Sequence, residues 1–268
     1  MIFKKISQSN IKVSIDGQGA DELFGGYLHN LSQLMADLIR GEKYEQARRV
    51  LKCSGDLFPG GPEKLVNRTN ALLDLSTKKN SYQHPKVPTF ASASYFEHHI
   101  KQNANYQTES NNTLQGALFE QTFNSSLPEL LRLADRNSMG MSVESRVPYL
   151  DPTLYSFAQS LPNELLISNK GETKYLLRKV FEKFLPKEIV NRRDKIGFTV
   201  PEKNWLLKLD PWVCDILQNS SSSNNIINKQ QVAEHWEAIK HNVIPYNQSI
   251  WRAINLAFWA EQSDCKFK

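Results

Sequence analysis

Cysteine is scarce in this 268-residue chain, and Cys53, Cys214 and Cys265 are odd in number and far apart. That spacing fits neither a disulfide framework nor a CxxC metal site, so all three read as plain thiols of a reducing compartment. No uninterrupted apolar run approaches the ~18 residues of a membrane-spanning helix, which argues against a membrane partner. The opening MIFKKISQSN has no apolar stretch after its lysines, so it is not a signal peptide, and a cytoplasmic address is expected. The six histidines show no HxH or HExxH spacing and no GxSxG is present, which leaves no zinc site or nucleophile elbow to argue for. Basic residues exceed acidic ones only mildly, 33 to 28, and the surplus is spread along the chain. A nucleic-acid binder concentrates a larger excess, whereas this balance suits a pocket for a small polyphosphate anion.

What is present describes a globular chain, 40% hydrophobic and 23% charged, long enough for one large domain or two modest ones. Residues 11–16, IKVSID, are apolar and β-branched as a buried strand requires, and they run into GQGADELFGGY. From there the apolar spacing is helical. Leu28, Leu31, Leu34, Met35, Leu38 and Ile39 form one stripe, and helices are predicted at Tyr44–Leu51, Lys64–Leu75 and Leu114–Phe123. Ser126-Leu-Pro-Glu129 and Asp151-Pro152 each open another helix, with proline in the first turn. Further helices are expected at Glu172–Phe184, over PWVCDILQ, around His235–Lys240 and at Ser249–Glu261. Residues 76–112 are polar and loop-rich, a candidate surface insertion. The expected fold is therefore mainly α with a remnant of an α/β sheet. A lone parallel-type strand needs paired neighbours, so its partners are either short and inconspicuous or lie outside residues 1–268.

Three segments could carry chemistry. Asp16-Gly-Gln-Gly-Ala-Asp-Glu-Leu-Phe-Gly-Gly-Tyr27 places four glycines within ten residues at a strand exit, where backbone N–H groups face an anion. Acids beside an anion repel it unless a divalent cation intervenes, so Asp21 or Glu22 is a candidate magnesium ligand. A structural turn with an Asp cap explains the same residues. In the second segment, Asp135, Arg136, Glu144, Arg146 and Asp151 are interleaved with Met139, Met141, Val143, Val147 and Leu150, which predicts buried, paired charges. Arg136 and Asp151 suit a structural ion-pair network, and Glu144 and Arg146 suit function. In the third, Lys195 stands on the loop NRRDKIGF, with Lys174 in the satellite GETKYLLR. A loop lysine is either solvated or delivered to a phosphate as a mobile point charge.

Taken in order, DGQGADELFGGY, LRLADRNSMGMSVESRVPYLD, GETKYLLRK and LPKEIVNRRDKIGFTVP, with IWRAINLAFW near the end, resemble one family. It is the C-terminal synthetase domain of glutamine-dependent asparagine synthetases, shared with the β-lactam synthetases. The likeness spans nearly the whole chain and is weakest between residues 55 and 112.

The resemblance implies part of an ATP-pyrophosphatase domain of the adenine nucleotide α-hydrolase type. Its expected chemistry is adenylation of the aspartate side chain by Mg-ATP with release of pyrophosphate, then attack by ammonia to give asparagine and AMP. The implied cofactors are ATP and Mg2+, and the partners aspartate, ATP and ammonia derived from glutamine. By the same likeness Asp21 ligates magnesium, and Asp16, Gly17, Gly19, Lys174 and Arg146 line the nucleotide and pyrophosphate. Lys195, Glu144 and Gln18 hold the catalytic positions, although Gln18 stands where related enzymes carry a glutamate or a tyrosine. Glutamine is neither an acid nor a base. The family's glutaminase domain and SGGxDS loop find no match here, so the expectation is the C-terminal part of a longer protein, inactive alone or completed by a separate chain. An enzyme amidating or cyclising another carboxylate, and a non-catalytic remnant, stay open as alternatives.

Overall fold

The computed structural model describes residues 2–77, 90, 113–193, 200–219 and 226–263. They divide into two compact units, the first drawn from Met1–Ser81 and Glu109–Ile196, the second from Tyr82–Thr108 and Gly197–Lys268. Among the described residues no helix is long and apolar enough to cross a membrane.

In the first unit, α1 (Ile2–Gln8) precedes β1 (Val13–Ile15), and α2 (Ala20–Phe24) follows the glycine turn. Then come α3 (Asn30–Arg40), α4 (Tyr44–Ser54), a 3₁₀ turn over Gly55–Leu57 and α5 (Gly61–Thr77). After residue 112 the chain forms α6 (Leu114–Phe123), α7 (Ser126–Met139), β2 (Glu144–Arg146), α8 (Pro152–Gln159), α9 (Asn163–Leu166), α10 (Tyr175–Phe181) and α11 (Lys187–Val190). Leu31, Leu34, Met35 and Leu38 of the predicted stripe are buried, and they pack with Leu23, Phe24, Leu65, Leu114, Leu118 and Leu166. Leu28 and Ile39, at the margins of the stripe, are partly buried against the same core.

The strand's partner is near in space and remote in sequence. β2 pairs with β1 in parallel, with Val13 opposite Glu144, Ser14 opposite Ser145 and Ile15 opposite Arg146. Asp16 N–H donates to the Arg146 carbonyl at 2.7 Å and Glu144 N–H to the Lys12 carbonyl at 2.8 Å, extending the ladder at both ends. Of the two explanations for a lone strand, the short and inconspicuous partner is thus realised at least once. The sheet has one open face: Ile15 is 77% exposed beside Arg146, and Val13 is exposed beside Glu144.

The second unit contains α12 (Glu202–Lys208), α13 (Asp210–Asn219), α14 (Lys229–Lys240) and α15 (Gln248–Gln262). Asn228 and Asn247 cap the last two, their side chains accepting from the N–H groups of Gln231 and Ser249. Their inner faces surround Trp236 with Leu206, Val213, Val232, Ile239, Ile250 and Ile254. The expected helices of this region start earlier than the apolar spacing suggested, because the caps and not the stripes set their first turns.

Candidate functional site

The glycine turn builds its own frame. Gly19 adopts φ +92, and a Cβ there would lie 2.4 Å from a Leu150 methyl, so the turn both needs the left-handed backbone and presses against the segment after β2. α2 is one short helix between this turn and Gly25, with Glu22, Leu23 and Phe24 directed into the core. Glu22 is 2% exposed and accepts a 2.6 Å hydrogen bond from the Tyr27 hydroxyl. Burial, then that bond, pushes the Tyr27 phenol well above its ordinary value. Of the two candidate acids, Glu22 is therefore held inside the fold while Asp21 reaches the surface of a cavity.

That cavity has a volume of about 450 Å³, and Asp21, Gly26, Lys174, Arg178, Arg192 and Arg193 are among the residues that line it. Asp21 is the one acid among its described lining residues, so the lining is strongly cationic. Lys174 Nζ lies 2.9 Å from Asp21 Oδ1, with 30% and 23% of the two side chains exposed. Lys174 itself occupies the left-handed region, φ 53 and ψ 38, at the start of α10. Gly26 gives the pair its room: a Cβ there would sit 1.8 Å from Asp21 Oδ1 and 2.3 Å from Lys174 Cε. Arg178 is oriented by its own backbone bonds, Nε to the Thr173 carbonyl at 2.8 Å and Nη1 to the Val190 carbonyl. Burial lowers its guanidinium below the ordinary value, with Glu172 opposing and Arg193 adding to the shift. Arg193 donates to Ser54 Oγ at 3.1 Å and to the Lys170 carbonyl at 3.2 Å.

The other expected residues occupy the strand ends. Asp16 accepts a 2.5 Å hydrogen bond from Ser145 Oγ, tying the turn to β2. Gly17 is exposed, and a Cβ there would touch nothing within 4 Å. Gln18 Oε1 is buried and has no hydrogen-bond partner among the described residues. Glu144 and Arg146 pair with each other, Nε to Oε1 at 2.8 Å, which lowers the Glu144 carboxyl and raises the Arg146 guanidinium. Both are exposed and neither lines the cavity. Lys195 lies outside the described residues.

The expectation of buried charges in the second segment is overturned. Asp135, Arg136, Glu144, Arg146 and Asp151 are all exposed, as are Met139 and Met141. Asp151 forms no ion pair among the described residues; it caps α8, accepting from the N–H groups of Thr153 and Leu154 at 2.9 and 3.1 Å. The segment winds from an amphipathic helix into a strand three residues long, so its alternating charges face solvent. Arg178 and Arg193 went unassigned in the sequence, although Arg178 follows Lys174 by four residues, one helical turn.

Magnesium beside a polyphosphate usually takes one or two protein carboxylates and fills its remaining positions with water and phosphate oxygens. Asp21 on a cationic cavity fits that arrangement. Among the described residues no cluster of three or more His, Cys, Asp or Glu side chains could hold a metal unaided. The residues present fit an ion shared with its ligand and not a self-contained metal site.

The family model for asparagine synthase matches residues 1–261. The chain is 27% identical over 278 residues to asparagine synthetase [glutamine-hydrolyzing] 1 of Bacillus subtilis (strain 168), covering 95% of this chain and 41% of the relative. It is 26% identical over 267 residues to a putative asparagine synthetase [glutamine-hydrolyzing] of Mycobacterium bovis, covering 94% and 40%. A Gallus gallus asparagine synthetase [glutamine-hydrolyzing] is 36% identical over 112 residues, 38% of this chain and 20% of that one. The chain thus spans about two fifths of the length of the first two relatives.

Proposed function

Because the chain belongs to the asparagine synthase family, we propose that it forms the pyrophosphate-side part of a ligase that uses ATP to activate a carboxylate for amidation, with aspartate as the carboxylate and ammonia as the nucleophile. The observation that carries this reading is the cavity in which Asp21 and Lys174 meet three arginines at the exit of β1. A cationic wall with one carboxylate suits a ligand that is anionic and arrives with a cation.

In the proposed reaction the substrate carboxylate attacks the α-phosphorus of ATP and the bond to the departing pyrophosphate breaks. Lys174, Arg178 and Arg193 would take up the negative charge that gathers on the leaving group, an electrostatic role for preorganised donors. Magnesium, when bound, supplies further charge neutralisation of the phosphate oxygens, with Asp21 as its protein ligand. Asp16, Gly17 and Gly19 form the backbone turn assigned to the nucleotide, and Lys195 is assigned to the reacting phosphate by family likeness alone. Ammonia then attacks the acyl-adenylate carbonyl and AMP leaves. Glu144, which pairs with Arg146 outside the cavity, is assigned the proton that the attacking amine loses by family likeness alone.

Gln18 supports a second reading, in which another carboxylate is amidated or cyclised. Its buried Oε1 carries no hydrogen bond among the described residues, so that position offers an acceptor to a substrate N–H and no titrating group. Residues 1–268 by themselves are expected not to turn over, because one glycine turn supplies only part of the donors that a triphosphate needs.

The test is pyrophosphate and AMP formation from Mg-ATP, aspartate and ammonia. Residues 1–268 would be assayed alone and with the unmatched portion of the Bacillus relative supplied as a second polypeptide. Asparagine and AMP in equal amounts from the supplemented sample, lost in Lys195→Ala, would support the reading. Turnover by residues 1–268 alone above the Lys195→Ala control would remove the claim of dependence on a further segment. Amidation of a different acid with aspartate untouched would favour the second reading.

A further inference from the structure

Polyphosphate and aspartate leave much of this cavity without a use. Along one stretch of sequence its basic lining residues Lys174, Arg178, Arg192 and Arg193 are interspersed with Leu177, Phe181, Leu185 and Ile189. Leu177 and Phe181 are four residues apart on α10, one helical turn, and Ile189 follows on α11. Phe181, Leu185 and Ile189 are 38%, 43% and 53% exposed, and none of the three belongs to the apolar core of the first unit. Phe184 stands edge-on to Phe181 with ring centroids 6.4 Å apart, a favourable aromatic pair. Apolar side chains left open beside a cavity, not sealed under the fold, mark a surface that receives something. Aspartate has a single methylene between its charged groups and pyrophosphate has no carbon, so neither covers that surface. The volume of about 450 Å³ falls within the roughly 300–1,000 Å³ of sites for small organic molecules.

We propose that this ligase also amidates carboxylic acids with an aliphatic or aromatic body, and that Leu177, Phe181, Leu185 and Ile189 select them. The inference rests on the reading of the cavity as the place where a carboxylate meets ATP, and it gives the second reading a substrate class. A charged head against arginine and an apolar body against Phe181, Leu185 and Ile189 match both kinds of lining, whereas an anion without carbon matches one. In the added reaction a carboxylate oxygen of the acid bonds to the α-phosphorus of ATP as the bond to pyrophosphate breaks. Ammonia then bonds to the acyl carbon, loses one proton and displaces AMP, leaving the primary amide. The apolar wall takes no part in either step. It acts by removing hydrocarbon from water, which is worth about fourfold in affinity for each methylene fully covered.

The experiment is binding of butanoate, hexanoate, octanoate and aspartate by residues 1–268, followed by ligand-observed NMR titration, with pyrophosphate and Mg2+ titrated in parallel. Wild type should bind the straight-chain acids about two- to fourfold more tightly for each added methylene, and aspartate more weakly than hexanoate. Ile189→Thr should lower that factor and change butanoate least, because it trims the wall and not the contacts of the charged head. Arg192→Gln should weaken all three acids by one common factor and leave the dependence on chain length intact. Thermal melting checks that each variant is folded, and Leu185→Ser replaces Ile189→Thr if the latter is not. Affinity that does not change with chain length, or an unchanged factor per methylene in the folded wall variant, would overturn the proposal. Displacement of hexanoate by adenosine, with adenosine itself weakened by Ile189→Thr, would assign the wall to the nucleotide and overturn it as well. If pyrophosphate binds and the acids do not, the proposal fails and the reading of the cavity stands. If neither binds, that reading fails and the proposal falls with it.

Discussion

The two units of this chain satisfy their polar groups in different ways. In the second, Asp210 accepts from Trp236 Nε1 at 2.7 Å and lies 3.1 Å from Lys240 Nζ, while Tyr246 donates to Glu202 at 2.9 Å. In the first, buried side-chain atoms without a hydrogen bond among the described residues include Ser14 Oγ and Gln18 Oε1, on either side of the strand exit, and Gln115 Oε1 and Gln159 Nε2. Buried polar groups are normally paired, so unspent capacity marks a place where structure has been subordinated to something else. Helix length separates the centre of the second unit from the short elements of the candidate site. α14 and α15 have 12 and 15 residues around one aromatic centre, whereas α2 and α10, which carry Asp21 and follow Lys174, have five and seven. Short helices contribute little by themselves and rely on the core beneath them. The lesson is that the second unit is organised for stability, and the first spends part of its stability on a site.

Substitutions can break that contrast. The largest effect is expected from Trp236→Ala, because a fully enclosed indole leaves a cavity worth about 3–5 kcal/mol. Denaturant unfolding should show that loss in the second unit, and a loss under 1 kcal/mol on the same ~1 kcal/mol-per-group scale would mean the centre is not tightly packed. Gly26→Ala comes next. Its methyl would fall 1.8 Å from Asp21 Oδ1, and relieving such overpacking costs about 1–3 kcal/mol and drives Lys174 and Asp21 apart. Equal stability of variant and wild type would show that the space beside the pair is larger than described.

A smaller effect concerns Asp37, which accepts from Leu114 N–H at 2.8 Å and from Asn163 at 3.2 Å and pairs with Arg40 at 3.1 Å. Burial raises its carboxyl above the ordinary value, outweighing the opposing pull of Leu114, Arg40 and Asn163. The folded chain therefore binds that proton more tightly than the unfolded chain. The contribution of this group to stability is fully present below the ordinary carboxylate pKa of about 4 and is lost as pH rises through the raised value. Stability relative to Asp37→Asn should fall over that interval, and a difference that stays flat with pH would contradict the assignment. The smallest change is expected from Ile15→Thr. The side chain is 77% exposed, so stability should shift by less than about 0.5 kcal/mol. Light scattering should nevertheless show less self-association, because an open apolar strand invites pairing. Unchanged scattering would mean that the open face of the sheet is not adhesive.

Much of the helical framework was legible in the sequence because its signals are local. The stripe from Leu31 to Leu38 and the prolines at Pro128 and Pro152 specify helices without reference to anything distant. β2 was not legible. Glu-Ser-Arg carries no strand pattern, and only its remote partner makes it a strand. α2 was hidden for a related reason, since five residues between glycines read as turn. Within the site, Asp21 and Lys174 were singled out separately, but nothing in their spacing shows that they touch. The basic wall contributed by Arg178 and Arg193 arises from packing, with each guanidinium aimed by carbonyl groups that the sequence does not reveal. Asp135 and Arg136 misled because interleaved charge and apolarity was taken for burial, when a helix end followed by a short strand sets the same residues in solvent.

The parallel pairing of β1 with β2 also has a temporal consequence. Ser145 Oγ and Asp16, whose bond secures the glycine turn, are 129 residues apart in the chain. During synthesis at about 5–20 residues per second, Asp16 waits roughly 6–26 s before its partner exists. The turn that carries Asp21 is therefore made well before the residue that fastens it. Its assembly is governed by closure of a long loop and not by the microsecond formation of the helices around it.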